Sequence, residues 1–246
     1  MTETLAVVSG GTRGIGLALS LRLARLGHRV AALYRSDHRA AREAAALGAG
    51  RIDVHQVDMA RPHEVRAVCE RLLAEHGAPE VLVNNAGINR DRPFLELSDE
   101  DWDQVLATNL SGPFHLTRAL APVMVAAARG TIVNVGATTG MRPRVNGVNY
   151  CASKAGLLHF TRCLALELAP VIRVNSLVPG FTDTPEVVER YGLEDPGRRA
   201  RVLEQIPLRS IGTVEHVADA LEFLVGPSGR YVTGQQLIVD GGNFLG

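Results

Sequence analysis

Neither sign of charge is in excess: Lys and Arg number 26, Asp and Glu number 26, and the formal net charge over 246 residues is zero. A nucleic-acid-binding surface draws on a basic surplus, so no nucleic-acid partner is expected. Cysteine is sparse. Cys69, Cys151 and Cys163 are odd in number and cannot all pair, and no Cys-x-x-Cys or Cys/His cluster offers a metal site. No stretch approaches the ~20 apolar residues needed to span a bilayer, and Met1–Val8 lacks a basic segment followed by a long apolar run. The expectation is a cytoplasmic protein with no membrane segment and no metal. Aromatic residues are few as well, 6 Phe, 4 Tyr and 1 Trp, so the core must come from Val, Leu, Ile and Ala. With 46% hydrophobic and 21% charged residues, the chain is neither disordered nor collagen-like. What is abundant is glycine, 25 in all, which serves turns of positive φ or a close approach of backbone to a ligand.

Short apolar runs alternate with amphipathic stretches. Leu5–Val8, Val30–Leu33, Val54–Val57, Val81–Val83, Thr131–Val135, Arg173–Val178 and Gln236–Val239 read as strands. Between them, Gly14–Leu26, Arg39–Leu47, Glu64–His76, Tyr150–Leu168 and Val214–Val225 have helical spacing. Ser98 with Asp101 three residues later resembles a capping box and opens one long helix toward Ala128. Phe181–Gly212 is polar, contains Pro185, Pro196 and Pro207, and reads as a mobile flap. Continuous apolar strands separated by helices predict an α/β fold: a single doubly wound parallel sheet of Rossmann type, helices on both faces, one domain over residues 1–246.

The first strand runs straight into Gly10-Gly11-Thr12-Arg13-Gly14-Ile15-Gly16 and then a helix. Such a turn brings backbone N–H groups close to a pyrophosphate at a helix N-terminus. The end of the second strand, where an NAD-type site has Asp or Glu, carries Tyr34 and Arg35. Arg13 and Arg35 without a carboxylate suit a 2′-phosphate, which points to NADP(H). Tyr150 and Lys154, four apart on a helix, share a face, and an ammonium at ~4 Å lowers a phenol's pKa by up to roughly three units.

Glycine spacing G-x-x-x-G-x-G after Ser9, then Asn84-Asn85-Ala86-Gly87, Asn109, Tyr150-x-x-x-Lys154, Pro179-Gly180 and Val232-Thr233-Gly234…Val239-Asp240-Gly241-Gly242 follow in order along nearly the whole chain. In these motifs the chain resembles the short-chain dehydrogenase/reductase family, nearest its 3-oxoacyl-carrier-protein reductase and polyketide ketoreductase branch. The resemblance implies NADPH-dependent reduction of a ketone, such as a 3-ketoacyl thioester on a carrier protein or coenzyme A, by a homotetramer. It assigns Tyr150 as proton donor, Lys154 to the nicotinamide ribose and Asn109 to a water-mediated proton relay. It places Asp58 beside the adenine, and Asn85, Ala86 and Gly87 beside the adenosine ribose and the cleft floor. Past Pro179-Gly180, the backbone of Thr182 and the hydroxyl of Thr184 meet the carboxamide. Residues 181–212 cover the substrate, with Val187, Val188, Tyr191, Leu193, Val202, Val145 and Val148 as candidate apolar walls.

One position departs from the pattern. The family's substrate-aligning Ser, thirteen residues before the Tyr, is Ala137 here. Three readings stay open: Thr138 or Thr139 supplies the hydroxyl, catalysis proceeds without it, or the chain is a weakly catalytic or non-catalytic dinucleotide-binding paralogue. Dehydrogenation of a secondary alcohol (sugar, steroid or other metabolite) is the alternative enzymatic direction. Basic residues for an acidic carrier are thin: around Ala126-Ala127-Ala128-Arg129 only Arg129 is basic, and the turn Ala169-Pro170-Val171-Ile172 offers none before Arg173.

Overall fold

The computed structural model describes residues 4–245. Met1–Glu3, the start of the segment read as leaderless, and Gly246, the end of the expected domain, lie outside the described residues. Strands β1 (Leu5–Ser9), β2 (Arg29–Tyr34), β3 (Ile52–Gln56), β4 (Val81–Asn84), β5 (Gly130–Val135), β6 (Ile172–Pro179) and β7 (Gln236–Val239) form one parallel sheet. Its order is β3-β2-β1-β4-β5-β6-β7. The chain winds outward from β1 to β3, then restarts beside β1 at β4 and winds the other way. That reversal opens a crevice at the carboxyl ends of β1 and β4, where such sheets take their ligands.

Alternation along each strand divides the core in two. Leu5 and Val7 face one side, where they pack with Val65, Val68 and Leu72 of α3 (Pro62–His76) and Leu116, Leu120 and Met124. Ala6 and Val8 face the other, with Leu19 and Leu23 of α1 (Gly14–Arg25) and Leu221 and Leu224 of the helix Val214–Val225. The second intervening helix, α2 (His38–Leu47), buries Ala41 and Ala44. With strand residues buried on both faces, small aliphatic side chains suffice, and the shortage of aromatics follows.

The expected long helix from Ser98 is broken. It runs as α4 (Asp99–Leu106), a π turn over Ala107–Ser111, and α5 (Gly112–Ala126). The N–H of Gly112 bonds the carbonyl of Ala107, five residues back, and Pro113 has no N–H to give the carbonyl of Asn109. The buried positions of this turn are the polar Thr108 and Asn109, which carry no apolar signal, so the sequence pattern did not reveal it.

The stretch read as an irregular flap is also helical. It contains α7 (Pro185–Tyr191) and α8 (Pro196–Gln205), which follow α6 (Val148–Leu168) and precede α9 (Val214–Val225). Thr184 and Asp195 cap their N-termini, accepting from Val187 and Arg198, and Gly192 ends α7 in the left-handed region at φ 59°. Leu193, Ile206 and Ile211 form its own small core with Val187, Val188 and Val202. Pro185 and Pro196 are first helical positions, and Pro207 follows the end of α8, so a proline-rich composition is compatible with helix here. Among the described residues no helix is long and apolar enough to cross a membrane.

Candidate active site

A cavity of about 1180 Å³ opens at the strand ends. Its wall holds every expected cofactor residue, from Gly10, Thr12, Arg13, Gly14, Ile15 and Gly16 through Arg35, Asp58, Asn85, Ala86 and Gly87 to Tyr150, Lys154, Pro179, Gly180, Thr182 and Thr184. Thr138 and Ala137 line it too, while Asn109 stands behind the wall.

At the glycine end the shape is backbone. Gly10 and Gly14 have φ of 64° and 52°. A Cβ on Gly16 would collide with the carbonyl oxygen of Gly10, so the loop folds back on itself only without a side chain there. Ser9 Oγ accepts from the N–H groups of Asn85 and Ala86 at 3.0 and 3.1 Å, and Asn85 Nδ2 donates to the carbonyls of Ser9 and Gly10. The Asn85 carboxamide therefore braces the loop.

A dinucleotide fits what is here. A Cβ on Gly14 would meet only the Thr184 methyl, 3.7 Å away across the cleft, so the space above the loop is open. Thr108 also lines the wall, and its Oγ1 is buried without a hydrogen-bond partner. Arg13 and Arg35 are exposed in the wall and have no ion-pair partner among the described residues. Asp37, two residues past Arg35, is occupied as the N-cap of α2, accepting from Ala40 N–H at 2.9 Å. Asp58 accepts from Ala60 N–H at 3.0 Å. Thr184 spends an acceptor on Val187 N–H and keeps its O–H to donate.

Farther along, Tyr150 is half-buried and Lys154 is 3% exposed. Lys154 Nζ donates to the carbonyl of Val135 at 2.8 Å and stands 5.8 Å from the centre of the Tyr150 ring. Burial lowers the Lys154 pKa to about 8. The expected fall in the Tyr150 pKa does not appear. Desolvation drives it up, Glu186 adds to the rise, and Arg190 and Arg144 oppose it. At this separation Lys154 does not outweigh desolvation.

Asn109, fully buried on the π turn, accepts from Ile88 N–H at 2.8 Å and donates to the Ile88 carbonyl and Ser153 Oγ. Ser153 Oγ donates in turn to the carbonyl of Tyr150. Asn109 thus ties the loop after β4 to the catalytic helix. Asn149, also fully buried, adds a second tie from α6 to the carbonyl of Arg90.

Ala137 is extended and begins a 3-10 turn over Thr138–Gly140. A Cβ on Gly140 would stand 2.8 Å from the Lys154 carbonyl carbon, so this turn packs directly on α6. Thr139 Oγ1 is buried without a partner.

Sequence reasoning missed a charged cluster at the mouth. Asp91 pairs with Arg144 at 2.8 Å and with Arg190 at 3.2 Å, and Arg190 also meets Glu186 at 3.1 Å. These residues come from three separate segments, and no local pattern joins them. Arg144 is thus engaged in ion pairing at the mouth. Of the candidate apolar walls, Val187 and Tyr191 line the cavity; Val145 is 85% exposed and Val188, Leu193 and Val202 serve the small helical core.

A row of polar residues also went unread. Asn84, Asn134 and Ser176 are register partners on β4, β5 and β6. Asn84 donates to Asn134 at 2.8 Å, and Asn134 and Ser176 both donate to Thr161 at 2.9 Å. The row pins α6 to the sheet beneath the site.

Residues 10–243 match the family model described as enoyl-(acyl carrier protein) reductase. The chain is 35% identical to the 3-oxoacyl-[acyl-carrier-protein] reductase of Escherichia coli K12, over 98% of this chain and 97% of that protein. It is 37% identical to the Thermotoga maritima enzyme of the same name, over 97% and 96%. A solved structure from Sinorhizobium meliloti 1021, provisionally assigned as a short-chain alcohol dehydrogenase, superposes with a TM-score of 0.92 at 33% identity, covering 100% of this chain and 98% of that one.

Proposed function

We propose that the chain, a member of the short-chain dehydrogenase/reductase family, is an NADP(H)-dependent oxidoreductase that works toward the alcohol, on a 3-ketoacyl thioester or related ketone, with Tyr150 as proton donor. The observation that carries this reading is Tyr150 and Lys154 on one face of α6, in the wall of the cavity whose other end is the glycine loop with Arg13 and Arg35.

NADPH, when bound, supplies the hydride that adds to the carbonyl carbon. The Tyr150 hydroxyl gives its proton to the carbonyl oxygen as the C=O π pair becomes the new O–H bond. Lys154 holds the phenolate left behind, and the Ile88–Asn109–Ser153 contacts keep α6 in place while a water relay past Asn109 restores the proton. The glycine loop, Asp58, Asn85, Ala86 and Gly87 seat the nucleotide. Pro179, Gly180, Thr182 and Thr184 seat the carboxamide, and Arg13 and Arg35 grip the 2′-phosphate. Thr138, beside Ala137 in the wall, orients the carbonyl. The segment 181–212 covers the substrate, with Phe181, Val187 and Tyr191 offering apolar wall to an acyl chain.

Arg129 is exposed, but Arg173 turns inward and donates to the carbonyls of Gly229 and Val232. These two positions therefore offer little positive surface to an acidic carrier. The cytoplasm is the compartment we assign, in keeping with three free thiols. A homotetramer is expected, with β7 at the sheet edge available to a second copy.

The test follows NADPH absorbance with 3-ketoacyl thioesters of coenzyme A and of a carrier protein beside simple ketones. Thioester turnover above that of simple ketones supports the reading. Tight NADPH binding with no turnover of any ketone, or of secondary alcohols with NADP+, would favour the non-catalytic paralogue that Ala137 leaves open.

A further inference from the structure

The loop between β5 and α6 is shaped around one side chain. Arg144 lies with its guanidinium carbon 5.5 Å from the centre of the Tyr150 ring. Its Nη2 donates to Asn89 Oδ1 at 3.1 Å and to Asp91 Oδ1 at 2.8 Å, and the side chain is 23% exposed. Gly147 makes room for it: a Cβ there would stand 2.9 Å from the guanidinium carbon. Asn146, at φ 61°, turns the loop so that its carbonyl accepts the Arg92 N–H at 3.0 Å. Two acceptors, a missing Cβ and a strained Asn all hold one planar cation beside the catalytic ring.

We propose that Arg144 is a positioning residue for Tyr150, fixing the ring in the cleft and stabilising the negative charge that Tyr150 acquires on giving up its proton. The role rests on the reductase reading above and adds a residue that reading does not use. A cation beside an aromatic ring is attracted to its electron-rich face, and a phenolate is richer than a phenol.

Other groups face Tyr150 as well. Lys154 lies on its own helix, with Nζ 5.8 Å from the ring centre. From α7 come Glu186, which opposes the effect, Arg190, which supports it, and the Tyr191 phenol. Asp91, on the loop after β4, divides its carboxylate between Arg144 and Arg190. Arg144 differs from Arg190 in that it sits against the ring itself.

The experiment compares wild type with Arg144→Met and Arg144→Lys in both reaction directions, with NADPH binding followed by fluorescence. For Arg144→Met, kcat for ketone reduction should fall roughly tenfold, and the pH limb for alcohol oxidation should move up by about one unit. The NADPH Kd should stay unchanged. Arg144→Lys, which keeps the charge without the planar stack, should fall between, so that a folding defect in the Met variant does not decide the matter. Wild-type kcat and pH limb in both variants would overturn the role while leaving the reductase reading intact. A wild type inactive on all ketones and alcohols would overturn the reductase reading first, and this role with it.

Discussion

At the nucleotide end of the cleft the protein presents backbone: Gly10, Gly14 and Gly16 fold a loop that Ser9 and Asn85 hold from beneath by hydrogen bonds. At the substrate end it presents charged side chains, with Asp91, Arg144, Arg190 and Glu186 drawn together from three segments. The first end is fixed by steric exclusion and by hydrogen bonds that do not titrate near neutrality. The second depends on ion pairs at a partly exposed mouth, which salt and pH weaken. One cavity thus combines a seat of fixed shape with an adjustable entrance, and Tyr150 and Lys154 stand between them.

The sharpest way to break the contrast is Gly16→Ala. Its methyl must displace the Gly10 carbonyl, and losing even one or two charge-assisted contacts to phosphate should weaken NADPH binding by about 100-fold, measured by fluorescence titration. Next is the 2′-phosphate grip: Arg13→Ala and Arg35→Ala should each lower kcat/KM with NADPH roughly tenfold and leave the NADH value unchanged. Third is pH. Lys154 is charged below its pKa of about 8, so kcat/KM for reduction should hold at lower pH and fall above it as the ammonium is lost. Lys154→Met should abolish that limb. The smallest effect tests the departure: with Thr138 orienting the carbonyl, Ala137→Ser, in the extended residue beside it, should leave kcat within about twofold of wild type. A gain of about tenfold would mean that Thr138 does not fill the role.

The same contrast explains what was legible in the sequence. Parallel strands, their helices and the glycine loop follow from local patterns, since each is built by neighbours in the chain. The π turn at Asn109 escaped because its buried positions, Thr108 and Asn109, are polar and carry no apolar signal, although Pro113 removes the N–H that the Asn109 carbonyl would otherwise meet. Helices α7 and α8 escaped because the segment was read as a flap from its polarity and prolines, whereas Pro185 and Pro196 occupy first helical positions. The Asp91 cluster and the Asn84–Asn134–Thr161–Ser176 row have no local signature, because their members meet only through the winding of the sheet. The direction of the Tyr150 pKa failed for a related reason. The spacing to Lys154 was visible, but the desolvation and Glu186, 36 positions away in sequence, were not.

The central claim is that Tyr150 delivers the proton in a cleft whose nucleotide seat does not depend on it. Tyr150→Phe, assayed for ketone reduction beside a fluorescence measurement of NADPH affinity, tests it most directly. The account predicts a loss of about 10²–10⁴-fold in kcat with unchanged NADPH Kd. A Phe variant that reduces the ketone at the wild-type rate would contradict it.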